Sequence, residues 1–102
     1  MTLSSKERAE LRAEAHHLDP LVHVGHQGLT DAVRDTLDDA LRTHELVKVA
    51  LAKSTEVSAK DAAHELARAL DAEVVQTIGR TCTLYRENPD LERKKGAPPP
   101  WR

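Results

Sequence analysis

The chain has 102 residues and a mass of 11.3 kDa, with 39% hydrophobic and 31% charged residues, a balance typical of one globular domain. This length excludes a two-domain enzyme. The hydrophobic residues include 14 alanines and 13 leucines but no phenylalanine, so we expect a small aliphatic core of modest stability. No apolar run approaches the roughly 20 residues that span a bilayer, and the amino terminus lacks a signal-peptide pattern, so we expect a cytoplasmic protein with no membrane partner.

The net charge is distributed unevenly along the chain. Fifteen lysines and arginines stand against 17 aspartates and glutamates, which leaves a formal charge of −2 at pH 7. From Arg80 to Arg102 there are six basic and three acidic residues, so this segment carries +3 and the remainder carries −5. Any contact with a polyanion is therefore expected to be local.

The amino-terminal segment predicts a helix followed by a short strand. Ser4 and Glu7 have the spacing of a capping box, and we expect the first helix over residues 5–16. Residues 21–24 are apolar and mostly β-branched, so they predict a strand that stops at the glycine-bounded turn 25–28. The chain then enters a second helix directly after this turn.

The middle of the chain predicts two more helices with a strand between them. Thr30 is the expected cap of the second helix, in which apolar residues recur every four positions: Leu29, Val33, Leu37 and Leu41. The alternation in residues 46–51 predicts a strand with one buried face and with Lys48 on the other face. After a polar loop, Ser58 is expected to cap an alanine-rich third helix that ends near Asp71.

The last third of the chain predicts a hairpin and a tail. Two β-prone runs, 73–78 and 81–85, are separated by Gly79-Arg80, which is the spacing of a two-residue hairpin. The element order α-β-α-β-α-β-β predicts an α/β (α+β) fold in which a mixed four-stranded sheet packs with three helices. Apolar periodicity then ends and prolines accumulate, so residues 88–102 are expected to form an extended or disordered basic tail.

The segment Gly25-His26-Gln27-Gly28 is the strongest candidate for a ligand site. Two glycines three positions apart, between a strand and a capped helix, let the backbone approach a ligand, and the nearby amides favour a phosphate. The segment is too short for a P-loop or a dinucleotide fingerprint, which leaves a KH-like clamp on single-stranded RNA as its specific use. Glycines at such turns also serve geometry alone, and that structural interpretation stays open.

The other reactive side chains favour neither catalysis nor metal binding. Cys82 lies within a predicted strand, so we expect a buried small residue, and a single cysteine excludes an intrachain disulfide. His23 and His26 have no further ligands to complete a tetrahedral metal set, and the carboxylates of the second helix lack the apolar pocket that a catalytic acid needs. We therefore predict a protein that is not an enzyme and that uses no metal, cofactor or small-molecule substrate.

These pieces, in this order, resemble the YhbY-type RNA-binding proteins, the free-standing bacterial form of the CRM (chloroplast RNA splicing and ribosome maturation) domain. The resemblance covers about residues 3–86. It rests on the runs Leu3-Ser4-Ser5-Lys6, Leu11-Arg12, Ala15-His16-His17-Leu18-Asp19-Pro20, Val24-Gly25-His26-Gln27-Gly28-Leu29-Thr30, His44-Glu45-Leu46-Val47-Lys48-Val49, Ile78-Gly79-Arg80 and Leu84-Tyr85-Arg86. It implies that residues 1–87 form one RNA-binding domain, with a fold like the C-terminal domain of bacterial translation initiation factor 3 and an added amino-terminal helix.

The resemblance also implies a ligand and a set of contact residues. Family members associate with precursors of the large ribosomal subunit, so the chain is expected to dock, as a monomer, on pre-ribosomal RNA, and the family has no enzymatic activity. Gly25 and Gly28 match the GxxG loop of the family, with His26 and Gln27 at its tip. Lys48, Arg80 and Arg86 match basic positions of the family. With Thr30 at the amino end of the second helix and with Lys6 and Arg12, which add charge, the residues expected to contact RNA are Gly25, His26, Gln27, Gly28, Thr30, Lys6, Arg12, Lys48, Arg80 and Arg86.

The small number of aromatic residues limits how the protein can recognise RNA. Tyr85 and Trp101 are the only tyrosine and tryptophan and there is no phenylalanine, so a base-stacking platform is not expected and recognition should depend on the backbone and shape of the RNA.

The acidic second helix leaves open an alternative function, in which the protein is an interaction adaptor for a basic partner and the glycine loop is purely structural. Sensitivity of the complex to nuclease separates the two functions.

Overall fold

The computed structural model describes residues 3–88, and residues 1–2 and 89–102 lie outside this range. Seven elements follow one another along the chain: α1 Ser5–Ala15, β1 Val22–Val24, α2 Asp31–His44, β2 Leu46–Leu51, α3 Ala59–Leu70, β3 Glu73–Ile78 and β4 Thr81–Tyr85. The predicted order of elements is confirmed, although α1 and β1 are each one residue shorter than predicted. The predicted fold class, three helices with a mixed four-stranded sheet, is also confirmed.

The four strands form one sheet in the order β1-β2-β4-β3. Strand β1 runs parallel to β2, with Val24 opposite Leu51, whereas β4 is antiparallel to both β2 and β3. The carboxyl ends of β1 and β2 therefore lie at one edge of the sheet, and the β3–β4 turn closes at this edge because Thr81 pairs with both Ala50 and Ile78. We call this edge, with residues 25–30, 52–58 and 79–80, the loop end.

Helices α2 and α3 cover one face of the sheet and enclose the main core. The strands contribute Val22, Val24, Val47, Val49, Leu51, Cys82 and Leu84. The helices contribute Leu37, Leu41, Ala59, Ala62, Ala63 and Leu66. The core is aliphatic, as predicted, and the small side chains of α3 let this helix pack close to the sheet.

Helix α1 lies on the opposite face of the sheet, away from the loop end. A second buried cluster joins it to the sheet and consists of Leu3, Leu11, Leu46, Val75 and Tyr85. A bulge interrupts the pairing of β3 with β4 between Val74 and Gln76, and Val75, at this bulge, belongs to the cluster. Tyr85, the last residue of β4, also packs in this cluster, with 9% of its surface exposed.

The three helices begin where the sequence predicts. The Ser4 hydroxyl accepts a hydrogen bond of 3.1 Å from the amide of Glu7, whose side chain completes a capping box. The hydroxyls of Thr30 and Ser58 likewise each accept from the amide three residues on, at 3.2 Å and 3.1 Å. A cap of this kind contributes about 1 kcal/mol to the free energy of unfolding. These three side chains therefore define where the helices start and add modestly to stability.

The domain continues just beyond the last strand. The Asn88 amide donates to Oε2 of Glu45 at 2.6 Å, and its Nδ2 donates to the carbonyl of Arg42 at 2.8 Å. Asn88, which is predicted to belong to the tail, is thus tied to the end of α2. The rest of the predicted tail, residues 89–102, lies outside the described residues.

Within residues 3–88, no helix combines the length and apolar character needed to cross a membrane.

Candidate functional site

A tight turn joins β1 to α2 at the loop end. The Gly28 amide donates to the Gly25 carbonyl at 3.0 Å, which closes a four-residue turn with His26 and Gln27 at its exposed tip. Gly28 has a φ of 77°, in the region that favours glycine, and the Thr30 amide then donates to the Gly28 carbonyl at 3.0 Å. The turn therefore leads directly into the capped first turn of α2.

This glycine turn presents backbone donors to the outside. The amides of His26 and Gln27 donate to no partner within residues 3–88, and both residues are exposed. A Cβ atom built on Gly25 would meet nothing within 4 Å, so the backbone can be approached closely at this point. Free amides beside the positive end of a helix dipole form a suitable environment for a phosphate group.

A second loop, residues 52–58, packs directly against the glycine turn. Thr55 is only 6% exposed, and its Oγ1 lies 3.0 Å from the Val24 carbonyl oxygen and 2.8 Å from that of Gly25. The hydroxyl donates into this pair of carbonyls, one at the end of β1 and one at the start of the turn. One buried side chain thus links the two loops.

Two further contacts join the loops on either side of Lys53. The Ala52 amide donates to the Val24 carbonyl at 2.9 Å, and the Nδ1 atom of His26 lies 3.4 Å from the Ser54 carbonyl oxygen. Lys53 itself is exposed. Its backbone is therefore held beside the glycine turn, while its side chain is free to extend into solvent.

Arg80 reaches the same edge from the β3–β4 hairpin. The Leu51 amide donates to the Arg80 carbonyl at 2.8 Å, and the Arg80 guanidinium donates to the Ala52 carbonyl at 3.4 Å. Gly79 has a φ of 57° at the first central position of the two-residue turn, as in a type II′ hairpin. The predicted hairpin is confirmed, and it places an exposed arginine next to the loop that carries Lys53.

The loop end also has an acidic side, toward α3. An open depression of about 320 Å³ lies between the glycine turn and α3. It is lined by His26, Gln27, Gly28, Leu29, Glu56, Val57 and Glu65. Glu65 pairs with Arg34 of α2 at 3.7 Å, so one of the two carboxylates in this lining already has a cationic partner. Lys53 and Arg80 are exposed beside the two loops, and Lys60 is exposed in the first turn of α3.

The other basic residues predicted to contact RNA lie away from the loop end. Lys48 is half-buried on the face of the sheet opposite α2 and α3, three residues before the end of β2. Lys6 and Arg12 are exposed on α1, which packs against the far part of that face. The structure thus brings Arg80 together with residues 25–30, and it does not bring Lys6 or Arg12 to them.

Arg86 lies at the opposite end of the sheet, where it joins β4 to α2 and α3. Its guanidinium donates to Oδ1 of Asp38 at 2.8 Å, to the Asp38 carbonyl at 3.1 Å and to the Leu70 carbonyl at 2.9 Å. Only 20% of the side chain is exposed. This guanidinium is engaged in the fold, and it is not near the glycine turn.

The described residues contain neither a group of metal-ligating side chains nor an exposed cysteine. Within residues 3–88, no three histidine, cysteine, aspartate or glutamate side chains are grouped as metal ligands. Cys82 is buried, and this burial raises the pKa of its thiol to about 12. The thiol is therefore protonated at neutral pH and is a poor nucleophile. Its position agrees with the prediction of a small buried residue.

Thr55 and Lys53 were not predicted from the sequence as parts of the site. Residues 52–57 were predicted only to form a polar loop between a strand and a helix. The βαβ order contained a usable signal, because two parallel strands place the loops that follow them at one edge of the sheet. A buried hydroxyl bond between these loops depends on the folded backbone, so no local pattern marks Thr55 as the link.

Comparisons with known proteins show which family the chain belongs to. The family described as the CRS1 / YhbY (CRM) domain matches residues 3–86. The chain is 37% identical to the "Probable RNA-binding protein YqeI" of Bacillus subtilis over 86 residues, which are 84% of this chain and 90% of that protein. It is 38% identical to an "RNA-binding protein" of Haemophilus influenzae over 91 residues, 89% of this chain and 92% of that one.

A solved structure shows the same fold. The solution structure of the hypothetical protein SAV1595 from Staphylococcus aureus superposes with a TM-score of 0.67 at 33% sequence identity, covering 92% of this chain and 96% of that one. The family match spans all seven elements and both loops of the loop end. The resemblance drawn from the sequence is confirmed: the chain belongs to the CRS1 / YhbY (CRM) domain family.

Proposed function

We propose that this protein binds RNA at the loop end, without catalysing a reaction on it. The names of its relatives in B. subtilis and H. influenzae support RNA as the ligand. The structural observation that carries the proposal is the glycine turn, where the amides of His26 and Gln27 have no partner within residues 3–88 and Gly25 leaves open space. These donors match the acceptor oxygens of a phosphodiester backbone.

In this mechanism the backbone of residues 25–28 clamps the RNA chain. Phosphate oxygens accept hydrogen bonds from the exposed amides, and the amino end of α2, where Thr30 is the cap, adds the favourable field of the helix dipole. Arg80 adds a permanent positive charge at the same edge. Because backbone contacts do not distinguish bases, recognition depends on the shape of the RNA more than on its sequence.

The RNA proposed as ligand is large-subunit ribosomal RNA in a precursor particle. The protein would act there as a monomeric, cytoplasmic assembly factor. A formal charge of −2 supports docking to one structured site over coating of RNA in general, since non-specific binding depends on many lysine and arginine contacts to phosphates.

A substitution at Gly25 tests the clamp directly. A side chain at Gly25 would meet open space and an unstrained backbone, whereas Gly28 has a φ of 77° and would be strained by any side chain. We expect Gly25→Asp to reduce affinity for a transcript of large-subunit ribosomal RNA at least tenfold, because its carboxylate repels phosphate. Filter binding measures this loss, and circular dichroism verifies the fold.

The matched control is Gly25→Ala, which adds one methyl group and no charge. We expect this variant to retain most of the affinity. Equal affinity of the wild type and the folded Gly25→Asp protein would refute the clamp. If Gly25→Ala binds RNA as weakly as Gly25→Asp, the loss of affinity comes from blocked approach of the ligand to the backbone, and the added negative charge does not explain it.

Sedimentation from a cell lysate tests the cellular ligand. Tagged protein is expected to migrate with precursors of the large ribosomal subunit on a sucrose gradient, and ribonuclease is expected to release it. A complex that resists ribonuclease would instead support the adaptor function, in which exposed carboxylates of α2 such as Asp35 and Asp39 contact a basic protein.

A further inference from the structure

The glycine turn has no permanent positive charge of its own. Residues 21–33 contain neither lysine nor arginine. Arg34, the next basic residue along the chain, is engaged with two carboxylates, at 3.1 Å from Asp31 and at 3.7 Å from Glu65. A phosphate bound at the turn would therefore need its cation from another segment of the protein.

The loop after β2 presents such a cation. Lys53 is exposed, and within residues 3–88 its side chain forms neither an ion pair nor a hydrogen bond. The contacts of Ala52 with Val24 and of Ser54 with His26 flank it on both sides. Its backbone is thus held next to the turn, and the extended lysine stem can place an ammonium beside a phosphate on the turn's amides.

We propose that Lys53 is the phosphate-binding cation of the glycine turn and that Thr55 is the positioning residue that holds it there. This inference rests on the proposed RNA-binding function and adds a charged contact to it. The buried Thr55 hydroxyl bonds the carbonyls of Val24 and Gly25, which lie on both sides of the junction between β1 and the turn. The two loops therefore act as one binding unit.

The position of Lys53 should give it a greater effect on RNA affinity than an average surface lysine has. A lysine on a mobile loop loses conformational freedom when it binds, whereas here the backbone is already fixed by four contacts between the two segments. Glu56 and Glu65 line the depression between the glycine turn and α3, and Glu56 also lines the depression that contains Arg80.

The decisive experiment compares Lys53→Gln with Arg68→Gln in the full-length protein. Arg68 is an exposed residue in the last turn of α3, so its replacement removes the same charge far from the loop end. The probe is an in vitro transcript of large-subunit ribosomal RNA, and the dissociation constant is measured at several KCl concentrations. Both substitutions lie on the surface, and circular dichroism verifies that the variants are folded.

Lys53→Gln is expected to weaken binding about three- to tenfold and to reduce the salt dependence by about one phosphate contact, while Arg68→Gln leaves both unchanged. Equal effects of the two variants would overturn the proposal, because net charge would then explain the loss. Full affinity of Lys53→Gln, together with loss of binding in Gly25→Asp, would overturn this inference and leave the clamp intact. Absence of binding by the wild type would refute the proposed function itself.

A double-mutant cycle tests the role of Thr55. Thr55→Val removes the hydroxyl and keeps the shape of the side chain, so the loops lose the two Thr55 hydrogen bonds and keep the Ala52–Val24 and His26–Ser54 contacts. We expect Lys53→Gln to weaken binding less in the Thr55→Val protein than in the wild type, and to retain its full effect in Thr55→Ser, which keeps the hydroxyl. An equal effect of Lys53→Gln in all three backgrounds would show that Thr55 does not position Lys53. If Thr55→Val does not fold, the Thr55→Ser background and the Arg68→Gln comparison still decide whether Lys53 is the cation.

Discussion

At the scale of single residues, burial determines what Cys82 can do. The thiol lies within the sheet, 1% exposed, and desolvation raises its pKa from 9.0 to about 12. In the unfolded chain the thiol ionises near pH 9, whereas in the folded protein it keeps its proton. The unfolded state therefore gains free energy from ionisation as the pH rises above 9, and the folded state does not.

We predict that the free energy of unfolding falls between pH 9 and pH 10, with a slope that approaches about 1.4 kcal/mol per pH unit. Well below pH 9 the thiol is protonated in both the folded and the unfolded state, so it does not make the free energy of unfolding depend on pH. Urea unfolding at a series of pH values measures the slope. Cys82→Ala is the control, and its slope should be shallower; Tyr85, whose pKa burial also raises from 10.0, is common to both proteins. Identical slopes would show that Cys82 does not remain protonated.

The residue scale also shows why the site was only partly predictable. The glycines of the turn, the Thr30 cap and Arg80 in its hairpin are marked by local sequence, and the structure brings them to one edge. Arg86 is predicted to contact RNA because it matches a basic position of the family, and Lys6 and Arg12 are predicted to do so because of their charge. Sequence does not say which way such a side chain points, and their role in RNA binding stays a prediction.

At the scale of the elements, Arg86 joins strand β4 to helices α2 and α3. Its three hydrogen bonds satisfy a carboxylate and two backbone carbonyls at a place where Leu70 ends α3. With only 20% of the side chain exposed, these bonds are partly shielded from water. Removal of the guanidinium would leave their acceptors without this partner, and unpaired acceptors are costly when buried.

We predict that Arg86→Gln lowers the free energy of unfolding by about 1–3 kcal/mol. The control is Arg42→Gln, since Arg42 pairs with Asp38 and Asp39 on the surface, is 59% exposed, and should contribute less than about 1 kcal/mol. Urea unfolding of both variants gives the comparison. A loss of equal size in the two proteins would contradict a special role of Arg86 in joining the elements. Reduced RNA affinity of folded Arg86→Gln would show that it also contacts the ligand.

Element boundaries and faces were largely predictable, because they depend on local chemistry. Capping side chains mark the starts of all three helices, and the apolar spacing marks their buried faces. The bulge at Val75 was not predictable. The pairing with β4 shifts between Val74 and Gln76, where Val75 packs in one cluster with Leu11 and Tyr85 from distant parts of the chain. Such a contact leaves no regular spacing in the sequence.

At the scale of the whole molecule, the charge distribution determines how RNA binding responds to salt. The carboxylates outweigh the basic residues overall, and the exposed cations at or next to the loop end are Lys53, Arg80 and, in the first turn of α3, Lys60. Each phosphate contact contributes about 0.7 to the slope of log affinity against log salt for single-stranded nucleic acid. Few such contacts are available at this edge.

We predict a slope of magnitude less than about 3 for binding to the ribosomal RNA transcript, together with weak affinity for duplex DNA of unrelated sequence. Titrations in KCl between about 50 and 300 mM measure both. A steeper slope would show that cations outside the loop end, such as Lys6, Arg12 and Lys48, also neutralise phosphates. The wider set of contact residues inferred from family resemblance would then be supported.

The two ends of the described chain also have a defined place in the molecule. Leu3 packs in the same cluster as Tyr85, and Asn88 is bonded to the end of α2, so both ends lie at the part of the sheet opposite the loop end. A segment that leaves the described domain at either end therefore starts on the side away from the glycine turn. A further domain joined at either of these points would begin at the end of the sheet opposite the surface proposed to bind RNA.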